Sequence, residues 1–180
     1  MKAERLLTNM RDQILEAQLK LGYAKETIRL YYPVSSLNAL LGLEVSEPED
    51  MKEALEQSNE LQNTKLGQLQ FAIHGGRLEI GIPPEGVEYV YQNYKATPFL
   101  KELIQLFQNK HACSIEEICK VFAAYSDDYS CQAMPAGTDF DYCVHFLDSS
   151  IDEYYYCIKM EMGHTIYHRF MQEDFQQLLA

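Results

Sequence analysis

Phe140-Asp141-Tyr142-Cys143-Val144-His145-Phe146-Leu147 and, after Asp148-Ser149-Ser150, Glu153-Tyr154-Tyr155-Tyr156-Cys157-Ile158-Lys159-Met160-Glu161-Met162 decide the fold of this chain. Apolar side chains recur at every second position along both stretches, the period of strands that pack one face. Pro135-Ala136-Gly137, Asp148-Ser149-Ser150 and Gly163 supply the turn formers between strands. Working outward, Tyr129–Met134 and Thr165–Phe170 carry the same pattern, which predicts a four-strand antiparallel meander over 126–171. No catalytic signature interrupts it: no Gly-x-Ser-x-Gly elbow is present, and no cysteine stands beside a basic cluster that would lower its pKa.

Upstream of the meander the period changes. Leu7, Met10, Ile14, Ala17 and Leu21 recur at steps of three and four, which predicts an amphipathic helix ended by Gly22. Thr27–Pro33 alternates briefly before its proline and reads as extended, with a short helix almost as compatible, so its conformation stays open. Leu37, Ala39, Leu40 and Leu41 predict a compact helix closed by Gly42. Ser46 with Glu49 matches a capping box, and Met51, Leu55, Ser58 and Leu61 extend the expected helix to about Asn63. Gln68–His74 and Arg77–Ile82 alternate around Gly75-Gly76, a β-hairpin with a two-residue turn; no Gly-Lys-Ser/Thr follows to make it a phosphate loop. Helices follow after Pro83-Pro84, after Thr97-Pro98, and after Ser114, where Glu117 completes a second capping box. Glu173, Phe175, Leu178 and Leu179 predict a short terminal helix.

The order is helical over 1–66, hairpin over 67–83, helical over 84–125, meander over 126–171 and terminal helix over 172–180. That order predicts an α+β fold: a helical layer packed on an antiparallel sheet, with a separate hairpin near residues 68–82. At 180 residues the length allows one filled core or two small lobes, and the expectation is a single α+β domain over 1–180.

With 47% apolar and 23% charged residues, the composition excludes a disordered chain. Five cysteines, Cys113, Cys119, Cys131, Cys143 and Cys157, are an odd number without an apolar leader, so free thiols and a cytoplasmic location are expected. A net charge of −12 argues against nucleic acid and anionic membranes as partners, because phosphate binding needs Lys and Arg. Residues 1–110 hold 12 Lys and Arg against 15 Asp and Glu, while 111–180 hold 3 against 12. Such an excess ordinarily keeps a protein soluble and monomeric, and its functional reading is a surface for a basic protein partner.

Alternation places Cys143 and His145 on one face and Cys157 on the matching face of the next strand. Cys131 joins them if the register allows, giving the four ligands of a tetrahedral zinc site, though without the Cys-x-x-Cys knuckle usual in such sites. His164 and His168 sit four apart without the His-Glu-x-x-His of a zincin, and read as packed or edge residues on the apolar side. The 13 tyrosines, with no Trp, suit core and edge packing first and recognition second; for the latter, Tyr129, Tyr155 and Tyr167 share parity and, with Asp141, form the expected binding set. The leading expectation is therefore a non-enzymatic interaction protein with no cofactor. The alternative is a metal-binding protein or enzyme using Cys131, Cys143, His145 and Cys157 on the outer face of the C-terminal sheet.

The run Tyr31-Tyr32-Pro33-Val34-Ser35-Ser36-Leu37-Asn38-Ala39-Leu40-Leu41-Gly42, Pro83-Pro84-Glu85-Gly86-Val87 and the ending Tyr167-His168-Arg169-Phe170 together resemble an uncharacterised bacterial domain-of-unknown-function family. The resemblance spans most of the chain. It implies a bacterial cytoplasmic protein, and no activity, substrate or catalytic residue comes with it.

Overall fold

A computed structural model describes residues 1–180, in an α+β fold with two antiparallel sheets. The chain, expected as one domain, divides into two compact units, Met1–Ala96 and Thr97–Ala180, each with its own sheet.

The first unit opens with α1 (Glu4–Leu21), β1 (Ile28–Tyr32) and α2 (Val34–Leu41), then α3 (Pro48–Glu56) and α4 (Asn59–Gln62). The hairpin strands β2 (Gln70–His74) and β3 (Arg77–Ile82) and helix α5 (Pro84–Asn93) complete it. Gly75 and Gly76 both hold positive φ, 58° and 76°, as a two-residue hairpin turn requires. The hairpin lies in its own sheet, apart from the meander, and a third strand joins it there. The ambiguous segment before Pro33 is strand β1, which pairs with β3 to give the order β1-β3-β2.

Leu6, Met10 and Ile14 of α1 are buried, but Leu21 is 86% exposed and the polar Asn9 points inward. The buried stripe is thus rotated from the predicted one. Asn9 accepts from the Tyr32 hydroxyl at 2.7 Å and from Gln13 at 2.7 Å, satisfying a polar group that burial would otherwise penalise.

The helix expected from Ser46 to Asn63 is two helices. Pro48 takes the first helical position with Glu47 as N-cap, so Ser46 lies one residue too early to cap. Ser58 instead breaks the run and caps α4 by accepting from the Leu61 amide at 3.4 Å.

In the second unit α6 (Pro98–Asn109) and α7 (Ile115–Ala123) precede the meander of β4 (Tyr129–Ala133), β5 (Tyr142–Phe146), β6 (Tyr155–Glu161) and β7 (His164–Phe170), ordered β4-β5-β6-β7. Helix α8 (Gln172–Leu179) ends the chain. Thr97 caps α6 through the Leu100 amide at 3.2 Å, and Ser114 and Glu117 form the reciprocal box that starts α7. Phe99 of α6 and Phe122 of α7 pack edge to face, 4.8 Å apart, and each lies 4.8 Å from Phe146 and 5.7 Å from the buried Tyr156. This aromatic cluster fixes one face of the sheet as the helix side.

Candidate functional site

Register decides which side chains of the meander meet. Residues paired directly across an antiparallel ladder project to the same face. Cys143 pairs with Cys157, and the row continues to Gln132 on one flank and His168 on the other. Cys143 and Cys157 share a face as predicted. That face is not an outer one: both cysteines are fully buried with Phe175 of α8, and Met134, Phe140, Tyr155, Phe170 and Leu178 pack around them. The terminal helix turns the expected polar face into a second small core.

Cys131 does not join them. It pairs with Val144, which puts it on the helix side of the sheet, where its thiol meets Cys119 of α7. Burial, then the hydrogen bond between these two sulfurs, pushes the Cys119 thiol up to about 12. His145 is on the Cys143 face, yet its ring is stacked on Tyr155 at 4.0 Å and its Nδ1 lies 3.0 Å from the Phe146 carbonyl oxygen. No group of three His, Cys, Asp or Glu side chains is placed to hold one metal ion. His168 belongs to the Cys143 face, opposite the helix side where alternation had put it, with its ring 5.4 Å from Phe140.

The expected tyrosine set divides the same way. Tyr129 pairs with Phe146 and Tyr167 with Ile158, so both face the helices, Tyr129 against Phe122 at 6.0 Å and Tyr167 against Phe107 at 5.0 Å. Tyr155 pairs with Phe170 on the opposite face and stacks on Phe175 at 4.7 Å. They form no shared surface. Asp141 is a tie between strands: its carboxylate accepts from the Met160 amide at 2.7 Å, its own amide donates to Ile158 at 2.8 Å, and its carbonyl accepts from Met134 at 2.9 Å.

The surface of this unit exposes a few large apolar side chains, among them Leu147, Met162 and Ile166, and an excess of acidic residues. Residues 97–180 hold 13 Asp and Glu against 5 Lys and Arg. Asp127, Asp128, Asp139, Asp141, Asp148, Glu153 and Glu161, all in or beside the strands, are exposed. Residues 3–179 match the family described as a domain of unknown function, E. rectale gene description (DUF3877). The chain belongs to the DUF3877 family. No curated protein and no solved structure matches it.

Two further features of the DUF3877 chain escaped the sequence reading. In the first unit a groove of about 450 Å³ is lined by Arg11, Lys65, Glu4, Glu60, Tyr89 and Tyr94 among others. The Arg11 guanidinium sits 4.7 Å over the Tyr94 ring, a cation–π pairing that periodicity in sequence does not reveal. In the second, Tyr156 donates to Asp152 at 2.9 Å while Arg169 lies 4.3 Å over Tyr154, giving the one fully buried tyrosine a charged partner. No helix of the chain is long and apolar enough to cross a membrane.

Proposed function

We propose that this DUF3877 chain is a non-enzymatic interaction protein of the bacterial cytoplasm, whose contact surface is the acidic face of residues 97–180 and whose partner is a basic protein. The observation that supports this most directly is the distribution of charge around the meander, where seven exposed carboxylates accompany a sheet with both faces packed. Such a field speeds encounter with a basic partner and sets its orientation. Five free thiols, among them the exposed Cys131, suit a reducing compartment.

The test is binding of a labelled Lys- and Arg-rich peptide followed by fluorescence anisotropy. Converting Asp127, Asp128, Asp139 and Asp148 together to Asn should weaken binding at least tenfold at 50 mM salt. Converting Glu49, Asp50, Glu53 and Glu56 of α3 to the amides should change it less than twofold. Equal losses from the two sets, or no binding to the unaltered chain, would sink the proposal.

A further inference from the structure

The two edges of the second sheet are treated differently by the fold. At β7 the edge is engaged: the Thr165 amide donates to the His111 carbonyl at 2.7 Å and its hydroxyl donates to the Cys113 carbonyl at 2.9 Å. At β4 the structure places no such cover, and Cys131, Gln132 and Ala133 are exposed.

Ladder parity shows which backbone groups β4 presents. The Leu147 amide donates to Asp128 at 3.0 Å and the Met134 amide donates to Asp141 at 2.9 Å, so positions 128 and 134 point their backbone groups inward to β5. Because hydrogen-bonding direction alternates along a strand, Ser130 and Gln132 also point inward, and Tyr129, Cys131 and Ala133 direct N–H and C=O outward. Edge strands are ordinarily guarded by charge, proline or a bulge. Tyr129-Ser130-Cys131-Gln132-Ala133 carries no charge and no proline, and its pairing with β5 runs unbroken over all five residues.

The ends of this edge are acidic. Asp127 and Asp128 precede it, and the Asp128–Leu147 hydrogen bond brings Asp148 to the same end. At the other end the Met134–Asp141 bond brings in Asp139, two residues before Asp141, whose own carboxylate is held by the Met160 amide of β6. All five carboxylate residues are exposed. A second copy of the chain, pairing its β4 antiparallel about a two-fold axis, would set the Asp127, Asp128 and Asp148 end against the Asp139 end of its mate, like charge against like. An extended basic segment meets opposite charge at both ends.

We propose that the edge of β4 is a strand-addition site, which takes an extended segment of a partner protein as a fifth strand, with Lys or Arg near both ends of that segment. This rests on the acidic-surface reading above and adds to it the geometry of capture. Main-chain pairing with the outward groups of Tyr129, Cys131 and Ala133 supplies the docking, and the flanking carboxylates select basic sequences.

The probe is a fluorescein-labelled decapeptide of alternating Lys and Val, with a Glu and Val counterpart and a Lys and Val version N-methylated at alternate residues. Cys131→Pro removes one outward N–H and leaves the β4–β5 ladder intact, since proline is tolerated where an edge amide faces solvent. Ala133→Pro does the same at a second position, and circular dichroism verifies that each variant is folded. The expected result is that the Lys and Val peptide binds at least tenfold more tightly than the other two, and at least tenfold more weakly to either proline variant. Undiminished binding of the N-methylated peptide, or undiminished binding to a folded proline variant, overturns strand addition; salt sensitivity that persists in that case leaves the acidic-surface reading standing. No binding of the Lys and Val peptide overturns strand addition, and the loss extends to the surface reading if Lys- and Arg-rich peptides also fail. A dimer in peptide-free solution that Cys131→Pro converts to monomer would assign the edge to a second copy and overturn the proposal.

Discussion

Cys143 and Cys157 stand directly opposite each other on β5 and β6, neither with exposed surface, their sulfurs sharing a hydrogen bond. That bond and burial push the Cys143 thiol up, which makes it a poor nucleophile, because the thiolate is the reactive form.

The consequence is a graded pattern of alkylation. Cys131, exposed on the edge strand, should take up iodoacetamide first, with Cys119 slower because its thiol is pushed up to about 12. Cys143 and Cys157 should become modified only at the rate at which the cover of α8 opens. Peptide mapping by mass spectrometry over a time course checks this, and modification of Cys143 as fast as Cys131 would contradict the burial. Truncation before Gln172, which removes Phe175, should accelerate modification of both buried thiols by an order of magnitude or more.

The helix-side core depends on Phe99, buried and touching Phe122, Phe146, Tyr125 and Tyr156 through its ring. Phe99→Ala should cost about 3–5 kcal/mol, from lost transfer energy and the cavity left behind. Tyr156→Phe removes the hydrogen bond to the Asp152 carboxylate and should cost about 1.5–3 kcal/mol. Urea unfolding monitored by tyrosine fluorescence measures both. Burial, then the Asp152 charge, holds the Tyr156 hydroxyl well above its ordinary value of 10.0. The folded pKa exceeds the unfolded one, so this contribution is complete below pH 10 and is lost as pH rises beyond it. The wild-type chain should therefore lose stability more steeply above pH 10 than Tyr156→Phe does.

At the start of α7, Ser114 and Glu117 satisfy each other's backbone amides at 3.2 and 2.9 Å, and Glu117 also pairs with Lys110. Ser114→Ala should lower stability by about 1 kcal/mol, the usual worth of such a cap. The Lys110 hydrogen bond, then the Ser114 amide, holds Glu117 below its ordinary value of 4.5. Its contribution is present above that pH and disappears as pH falls through the lower folded value. Thermal melts of wild type and Glu117→Gln should differ at pH 7 and converge in strong acid.

Elements set by local chemistry were legible in the chain. Gly75-Gly76 between alternating runs fixed the hairpin, Ser114 with Glu117 fixed a helix start, and alternation fixed the four strands of the meander. What local pattern does not contain is register between strands. Cys143 pairs with Cys157, odd with odd, so parity carried across β5 and β6; Tyr129 pairs with Phe146 and Tyr155 with Phe170, odd with even, so parity reversed on both flanks. That reversal separated Cys131 from the other candidate ligands and Tyr155 from Tyr129 and Tyr167. The strand β1 was equally invisible, because its partner β3 lies far along the sequence and Ile28–Tyr32 alone suits two conformations. The role of α8 as a lid over Cys143 also follows from tertiary packing, not from its own amphipathic pattern.

Gly86, in the first turn of α5, makes the tightest backbone approach among the glycines. A Cβ built there would lie 2.0 Å from the Leu66 carbonyl oxygen and 2.9 Å from an Ile82 methyl. The obstacle is chiefly backbone, which cannot swing aside as a flexible side chain does, and Leu66 is itself buried. Substitution by alanine would ordinarily favour a helix by close to 1 kcal/mol. Here overpacking dominates, and Gly86→Ala should be destabilising by about 3 kcal/mol or more, with the segment around Leu66 forced away from α5. Gly42, which has open space around its Cβ position but a φ of 65°, supplies the contrast: Gly42→Ala meets only the backbone cost of a left-handed cap, about 1 kcal/mol. Denaturation midpoints for the two variants, with hydrogen exchange at residues 64–67, test the difference, and a Gly86→Ala variant as stable as Gly42→Ala would show that the α5 start does not rest on this contact.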